Sequence, residues 1–189
     1  MVEATPMSEV INAHEECSFE NEFVLFDTNI WIAIYGNDPR PAKQVYSDFY
    51  SSLLKAGNTV VVNEQVISEF FNRVCKIEYE SLFGKKEWQS YKTRRKNDES
   101  FKARVAAVRD ICLDILTDCT YQQSNLQQDC LEGNLGLVVG GELDLTDAAL
   151  VSECMSGGYI LVSDDGDFES SDIKFVTGNQ RVLRKVPAK

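Results

Sequence analysis

Short runs of apolar residues alternate with longer stretches of helical period along this chain. Phe23–Phe26 (FVLF), Thr59–Val62 (TVVV) and Tyr159–Val162 (YILV) are contiguous apolar or β-branched blocks of four residues. Blocks this short, bounded by polar residues, read as strands buried on both faces, and Ile173–Val176 reads as a last one. Between them apolar positions recur at helical spacing. Val45, Phe49, Leu53 and Leu54 form one stripe within 41–56, and Val66, Ile67, Phe70, Phe71 and Val74 another after Asn63. Val105, Val108, Cys112, Ile115 and Leu116 form a third within 101–116. Helices are predicted over all three stretches. Two more are predicted over Asn29–Tyr35, with Thr28 or Asn29 as the cap, and over Leu143–Ser156, closed by Gly157 and Gly158. The segment after Gly84 reads as helical in part. Residues 119–141 are ambiguous, and Gly133, Gly136, Gly140 and Gly141 mark them as loop.

Strands alternating with helices imply an α/β domain with a central, mainly parallel sheet and helices on both faces. A chain of 189 residues fits one such domain. Residues 23–189 are expected to form it. Residues 1–22 carry six acids and no Lys or Arg, and read as a mobile acidic N-terminal arm. No apolar run is long enough to span a bilayer.

Charge alters the picture by its placement. Nineteen Lys and Arg against thirty Asp and Glu give a net charge of −11, which argues against coating nucleic acid by bulk charge. Yet nine of the bases fall within residues 85–109, and residues 110–173 hold fourteen acids and no base. The basic run reads either as a solvated helix face or as a contact to RNA phosphates through Lys85, Lys86, Lys92, Arg94, Arg95 and Lys96. Trp88, Tyr91 and Phe101 interleave it and could stack on bases or anchor the segment to the core. If the basic run contacts RNA, the acidic arm could lie on it in cis and compete with RNA.

Side-chain chemistry narrows the classes. The one histidine, His14, lies in the polar N-terminal stretch, which leaves little room for Ser-His-Asp or Cys-His triads and none for a His-rich zinc site. None of the six cysteines forms a CxxC pair, so they read as small buried hydrophobes and reduced thiols of a cytoplasmic protein. Acid–base work falls to carboxylates and bound water. In an open parallel sheet, ligands bind outside the carboxyl ends of the strands. Asp27 directly follows FVLF, and Asp164, Asp165 and Asp167 follow YILV. Glu69 lies on the helix after the second strand. Asp147, with Asp144 one turn earlier, opens the helix leading to the third. Gathered carboxylates repel one another unless a cation compensates them, and oxygen-only ligands suit Mg²⁺ or Mn²⁺. Such ions activate water and neutralise phosphoryl charge. Each acid also has a plainer reading, as a cap, a helix-dipole partner, an exposed edge residue or a solvated turn.

The segments FVLFDTNIWI (23–32), VVVNEQVISEFFNRV (60–74), LDLTDAALV (143–151) and YILVSDDGDF (159–168) together resemble a PIN-domain nuclease, near the VapC-like toxins of toxin–antitoxin pairs. The resemblance runs from Phe23 to about Val176. It implies a three-layer α/β/α PIN-like fold, with a helical insertion or elongated hairpin around 80–118. It implies a divalent-metal-dependent endoribonuclease, the toxin of such a pair, that hydrolyses RNA phosphodiesters. Asp27, Glu69, Asp147 and Asp165 match the metal-binding catalytic acids, with Asp164 and Asp167 as further candidates and Asn29, Ser163 and Asp144 in support. The implied partners are RNA, an antitoxin protein and a second copy of the chain. The alternative is a catalytically weak PIN-fold RNA-binding or scaffold protein. A third reading, an unrelated Mg²⁺-binding phosphoryl-transfer or receiver-like domain, would want a lysine near the strand-end acids, and none occurs between 103 and 173.

Overall fold

A computed structural model describes residues 9–36, 41–141 and 143–185, apart from the side chains of 41–43 and 86. The chain runs β1 (Glu9–Asn12), β2 (Phe23–Phe26), α1 (Thr28–Tyr35), α2 (Pro41–Lys55), β3 (Thr59–Val62) and α3 (Glu64–Phe83). A 3₁₀ turn (Lys85–Ser90) leads into α4 (Tyr91–Asn97), α5 (Glu99–Asp118) and β4 (Thr120–Tyr121). Then come α6 (Gln128–Gly140), α7 (Leu145–Gly157), β5 (Ile160–Val162), a second 3₁₀ turn (Gly166–Ser170), β6 (Lys174–Thr177) and α8 (Gln180–Leu183).

The strands form one sheet in the order β1-β6-β5-β2-β3-β4, and every neighbouring pair is parallel. The central strands read as apolar runs because both faces are covered: Val24–Phe26, Val60–Val62 and Ile160–Val162 are all buried. From β2 the chain steps outward to β3 and β4, then returns to β5 on the other side of β2. Right-handed crossovers therefore place α1–α5 on one face and α6–α7 on the other, a three-layer α/β/α arrangement. The reversal opens a crevice at the carboxyl ends of β2 and β5. Pairing of Phe26 with Val162 sets Asp27 and Ser163 side by side at that crevice, and the Asp27 amide donates to the Val162 carbonyl at 3.0 Å. Among the described residues no helix is long and apolar enough to cross a membrane.

Several elements differ from expectation. Residues 9–12 are not a mobile arm. They form the edge strand β1, paired with β6 from Glu9↔Lys174 to Asn12↔Thr177. Ala13 and the apolar sides of Val10 and Ile11 join the core, which outweighs the acidity of their neighbours. This edge is opposite the one from which the α3–α5 hairpin rises, so residues 9–12 do not lie on the basic segment. The first eight residues lie outside the described residues. Residues 128–140 are helix rather than loop: Gly133 and Gly136 are carried within α6, and only Gly141, at φ 76°, stops it. Helix α1 is capped by Asp27 rather than by Thr28 or Asn29, its backbone carbonyl accepting from Ile30 at 3.0 Å. Leu54 and Leu116 fall outside their predicted stripes and are exposed.

The elongated hairpin starts earlier than residue 80. Its arms are the twenty-residue helices α3 and α5, each about 30 Å long by the helical rise. Between them Trp88, Tyr91 and Phe101 pack on Tyr79 at ring-centroid distances of 5.2, 5.0 and 5.2 Å. Tyr79 and Phe101 are fully buried. These ring contacts anchor the basic segment to the hairpin, while Trp88 and Tyr91 remain partly exposed. The hairpin starts at a defined cap, where the buried Asn63 side chain accepts the Val66 amide at 3.0 Å. Asn63→Ala is expected to cost about 1 kcal/mol and to lower the melting temperature by about 2–4 °C. Calorimetric unfolding at pH 7 checks it; an unchanged midpoint contradicts the capping role.

Candidate metal centre

The crevice collects acids from three elements. Asp147 sits in the first turn of α7, and Asp165 and Asp167 on the turn after β5. One carboxylate oxygen from each of these three lies within 4.8 Å of the others, the only such group among the described residues. Backbone geometry fixes all three. The Asp144 side chain caps α7 by accepting the Asp147 amide at 2.9 Å. Asp165 caps the 3₁₀ turn by accepting the Asp167 amide at 3.1 Å. Ser163 accepts the Asp165 amide at 3.0 Å.

Asp27 lies beside the trio and is buried, with 5% of its surface exposed. Its Oδ2 accepts the Ser163 hydroxyl at 2.7 Å and also the Asn29 amide. The same Asn29 amide donates to Ser163 Oγ at 2.9 Å, and Asn29 Oδ1 accepts the Asp164 backbone amide at 3.1 Å. Asn29 and Ser163 thus tie the end of β2 to the end of β5. Burial pushes the Asp27 carboxyl up to about 6; the Ser163 hydrogen bond opposes this and the Glu69 charge adds to it. Asp147 is pushed up to about 7, first by partial burial and then by the charges of Asp144, Asp27, Asp165 and Asp167. Four carboxylates raising one neighbour is the signature of an uncompensated anionic pocket.

The remaining predicted acids are placed differently. Glu69 stands outside the trio: it accepts the Thr28 hydroxyl at 3.1 Å and pairs with Arg73, one turn along α3, at 3.2 Å. Asp164 accepts the Tyr46 hydroxyl. That hydroxyl in turn accepts the buried Gly178 amide at 3.0 Å, so the Asp164 carboxylate serves the fold. Asp144 acts through its cap. Sequence reasoning gave Thr28 only a capping role and gave none to Tyr46 or Arg73: the Thr28 and Tyr46 bonds join distant segments and leave no local pattern, whereas Glu69 and Arg73 are an i,i+4 pair on one helix. Nor did it use the last stretch of chain, where residues 174–189 hold five bases and no acid.

The basic segment is remote from these acids. From Glu69 to Phe83 the helix runs fourteen residues, about 20 Å along its axis. Several of its bases are engaged locally: Arg94 with Glu87 at 3.3 Å and over the Phe83 ring, Lys85 with Glu80 at 3.9 Å. Lys92, Arg95 and Lys96 are exposed on α4. The Lys86 side chain lies outside the described residues.

The donor set fits a hard divalent cation. It consists of carboxylate oxygens with no imidazole or thiolate, brought together at the repulsion just described.

A family profile of the PIN domain matches residues 24–174, most of the chain, and the protein belongs to that family. No curated protein matches as a relative. Among solved structures, VapBC2 from Rickettsia felis bound to a promoter DNA fragment aligns at 15% identity and TM-score 0.49, over 81% of this chain and 96% of that one. VapC20 of Mycobacterium tuberculosis, a Sarcin-Ricin-loop-cleaving toxin, aligns at 15% identity and TM-score 0.49, over 77% and 92%. PAE2754 from Pyrobaculum aerophilum aligns at 17% identity and TM-score 0.48, over 90% and 96%.

Proposed function

We propose that the protein is a divalent-metal-dependent endoribonuclease that hydrolyses RNA phosphodiesters at the crevice between β2 and β5. The observation that carries this reading is the convergence of Asp147, Asp165 and Asp167 beside the buried Asp27, at the carboxyl-end crevice of a PIN-family sheet. Asp27, Asp147, Asp165 and Asp167 would hold Mg²⁺ or Mn²⁺, with Glu69 at the margin, on the Thr28 side of the site. A bound ion of this kind supplies charge for the phosphoryl oxygens and lowers the pKa of water.

The chain's own part is to fix the acids. Ser163 hydrogen-bonds Asp27 and holds the Asp165 amide, so a single hydroxyl sets the spacing of both carboxylates. Asn29 braces Asp27 and Ser163 through its side-chain amide. Removing such a brace typically costs 10–100-fold in metal affinity. Ser163→Ala is expected to weaken Mn²⁺ binding roughly 10–100-fold, read by titration calorimetry, with the fold retained. Unchanged affinity would remove Ser163 from the site.

The direct test is cleavage of varied RNAs with Mn²⁺ or Mg²⁺ and with chelator. Metal-dependent cleavage supports the reading. Tight RNA binding without turnover under every metal condition would instead support a binding or scaffold role. The toxin role, with an antitoxin partner and a homodimer, belongs to the same proposal and rests on the motif resemblance. A small adjacent gene with a DNA-binding pattern, whose product silences cleavage, would support it.

A further inference from the structure

A cleft of about 410 Å³ is lined by two members of the acidic trio, Asp165 and Asp167, and its walls carry opposite charges. One wall is Asp165 and Asp167; the other is Arg181 and Lys185, on and just after α8. We propose that Arg181 and Lys185 bind backbone phosphates of single-stranded nucleic acid next to the bond being cut. This deepens the nuclease reading and rests on it.

The need arises from electrostatics. A pocket of four carboxylates repels a polyanion except at the ion itself, so the nucleotides flanking the reacting phosphate need cations close by. The basic segment on the hairpin begins about 20 Å along α3 from Glu69, more than about two Debye lengths at physiological salt. Arg181 and Lys185 line the same cleft as Asp165 and Asp167.

Their placement is fixed by the turn that carries Asp165 and Asp167. Val182, between the two bases in sequence, is buried and packs against Gly166, where an added Cβ would already stand 3.4 Å from Val182 Cγ2. Asn179 donates its side-chain amide to the Asp164 carbonyl at 2.8 Å and caps α8 through the Arg181 amide at 3.0 Å. The cationic wall and the acidic wall are thereby parts of one unit.

Lys185 meets Glu169 at 2.6 Å in a solvent-exposed pair, which is worth about 0–1 kcal/mol and yields readily to a phosphate. Among the described residues no aromatic ring lines the cleft, so its contact is with the backbone. The volume suits about one nucleotide unit.

The experiment is fluorescence anisotropy of a short single-stranded RNA with the full chain in Ca²⁺, over about 50–200 mM salt. It compares wild type, Arg181→Ala, Lys185→Ala, the double variant and Arg181→Lys. Each lost phosphate contact on a single strand lowers the slope of log K against log salt by about 0.7, so the double variant is expected to lose about 1.4. Arg181→Lys is expected to keep its slope. Glu169→Gln, which releases Lys185, is expected to bind more tightly than wild type. Single-stranded DNA is expected to show the same slope loss, because the contact is with phosphate. In cleavage assays KM should rise more than kcat falls, which a purely structural role would not produce.

An unchanged slope in the double variant, or the whole loss appearing instead in Lys92→Ala/Lys96→Ala, overturns the inference while leaving the nuclease reading intact. A wild type that binds with the expected slopes and never cuts supports the phosphate wall and overturns the nuclease reading. A wild type that does not bind single strands overturns both.

Discussion

Asp147→Asn protein is expected to fold, to melt no lower than wild type at pH 7 without metal, and to cut RNA roughly 10²–10³-fold more slowly, the usual scale for removing one preorganised electrostatic group from a reaction centre. The substitution keeps shape and removes charge. Asp147 is the acid most strongly raised by its neighbours, since burial and four carboxylates all act on it. Replacing it relieves repulsion in the metal-free protein and removes a carboxylate that the proposed site would offer to a metal ion. Loss of activity joined to unchanged or higher stability separates a functional acid from a structural one. Asp27→Asn is expected to act in the same direction. Either variant cutting at the wild-type rate in Mn²⁺, measured in single-turnover assays, contradicts the site.

The second large effect is on stability against pH. Asp27 titrates near 6 and Asp147 near 7 in the folded chain, both far above an unfolded aspartate near 3.9. Between about pH 4 and 7 the native state therefore holds protons that the unfolded chain has released. With more protons bound in the native state, stability falls as pH rises through this window, and the loss is complete above the folded values. Discounted for the partial exposure of Asp147, the pair is expected to remove on the order of 2–4 kcal/mol. The melting temperature of metal-free protein should then be about 5–10 °C lower at pH 7.5 than at pH 5. Mn²⁺ at pH 7.5 should restore it, because an ion that binds only the folded state stabilises it by mass action. The Asp27→Asn/Asp147→Asn double variant should show a flat profile. A wild-type midpoint that rises steadily from pH 5 to 7.5 without metal contradicts the gathered-acid account.

Four segments made the sheet and the crevice legible from the chain itself. Apolar four-residue blocks ending in Asp27 and in Ser163-Asp164-Asp165 name two adjacent strand ends, because a parallel core strand is apolar throughout and its polar continuation marks the carboxyl end. Contacts between distant segments were not legible. Tyr46 draws Asp164 out of the acidic set, and Thr28 holds Glu69 at the margin; both depend on how α2 and α3 pack against the sheet. Three of the four residues after Ser163, all but Gly166, are acids, and only the 3₁₀ turn decides that Asp165 and Asp167 face Asp147. Strand β1 escaped notice because an edge strand needs only one apolar face, and Glu9 and Asn12 interrupt Val10 and Ile11. Helix α6 escaped because its glycines read as breaks, although it packs on α7 and buries little besides Asn134. The bases were judged by number, which favoured residues 85–109; proximity to the acids favours Arg181 and Lys185.

The claim at the centre of this account is that the crevice between β2 and β5 holds a divalent ion. Anomalous scattering from crystals soaked in Mn²⁺ tests it most directly. The expected result is a peak within about 2.0–2.3 Å of carboxylate oxygens of the Asp147, Asp165 and Asp167 group, absent in Asp147→Asn crystals. No peak there at saturating Mn²⁺, or ions only at other surface acids, would contradict it.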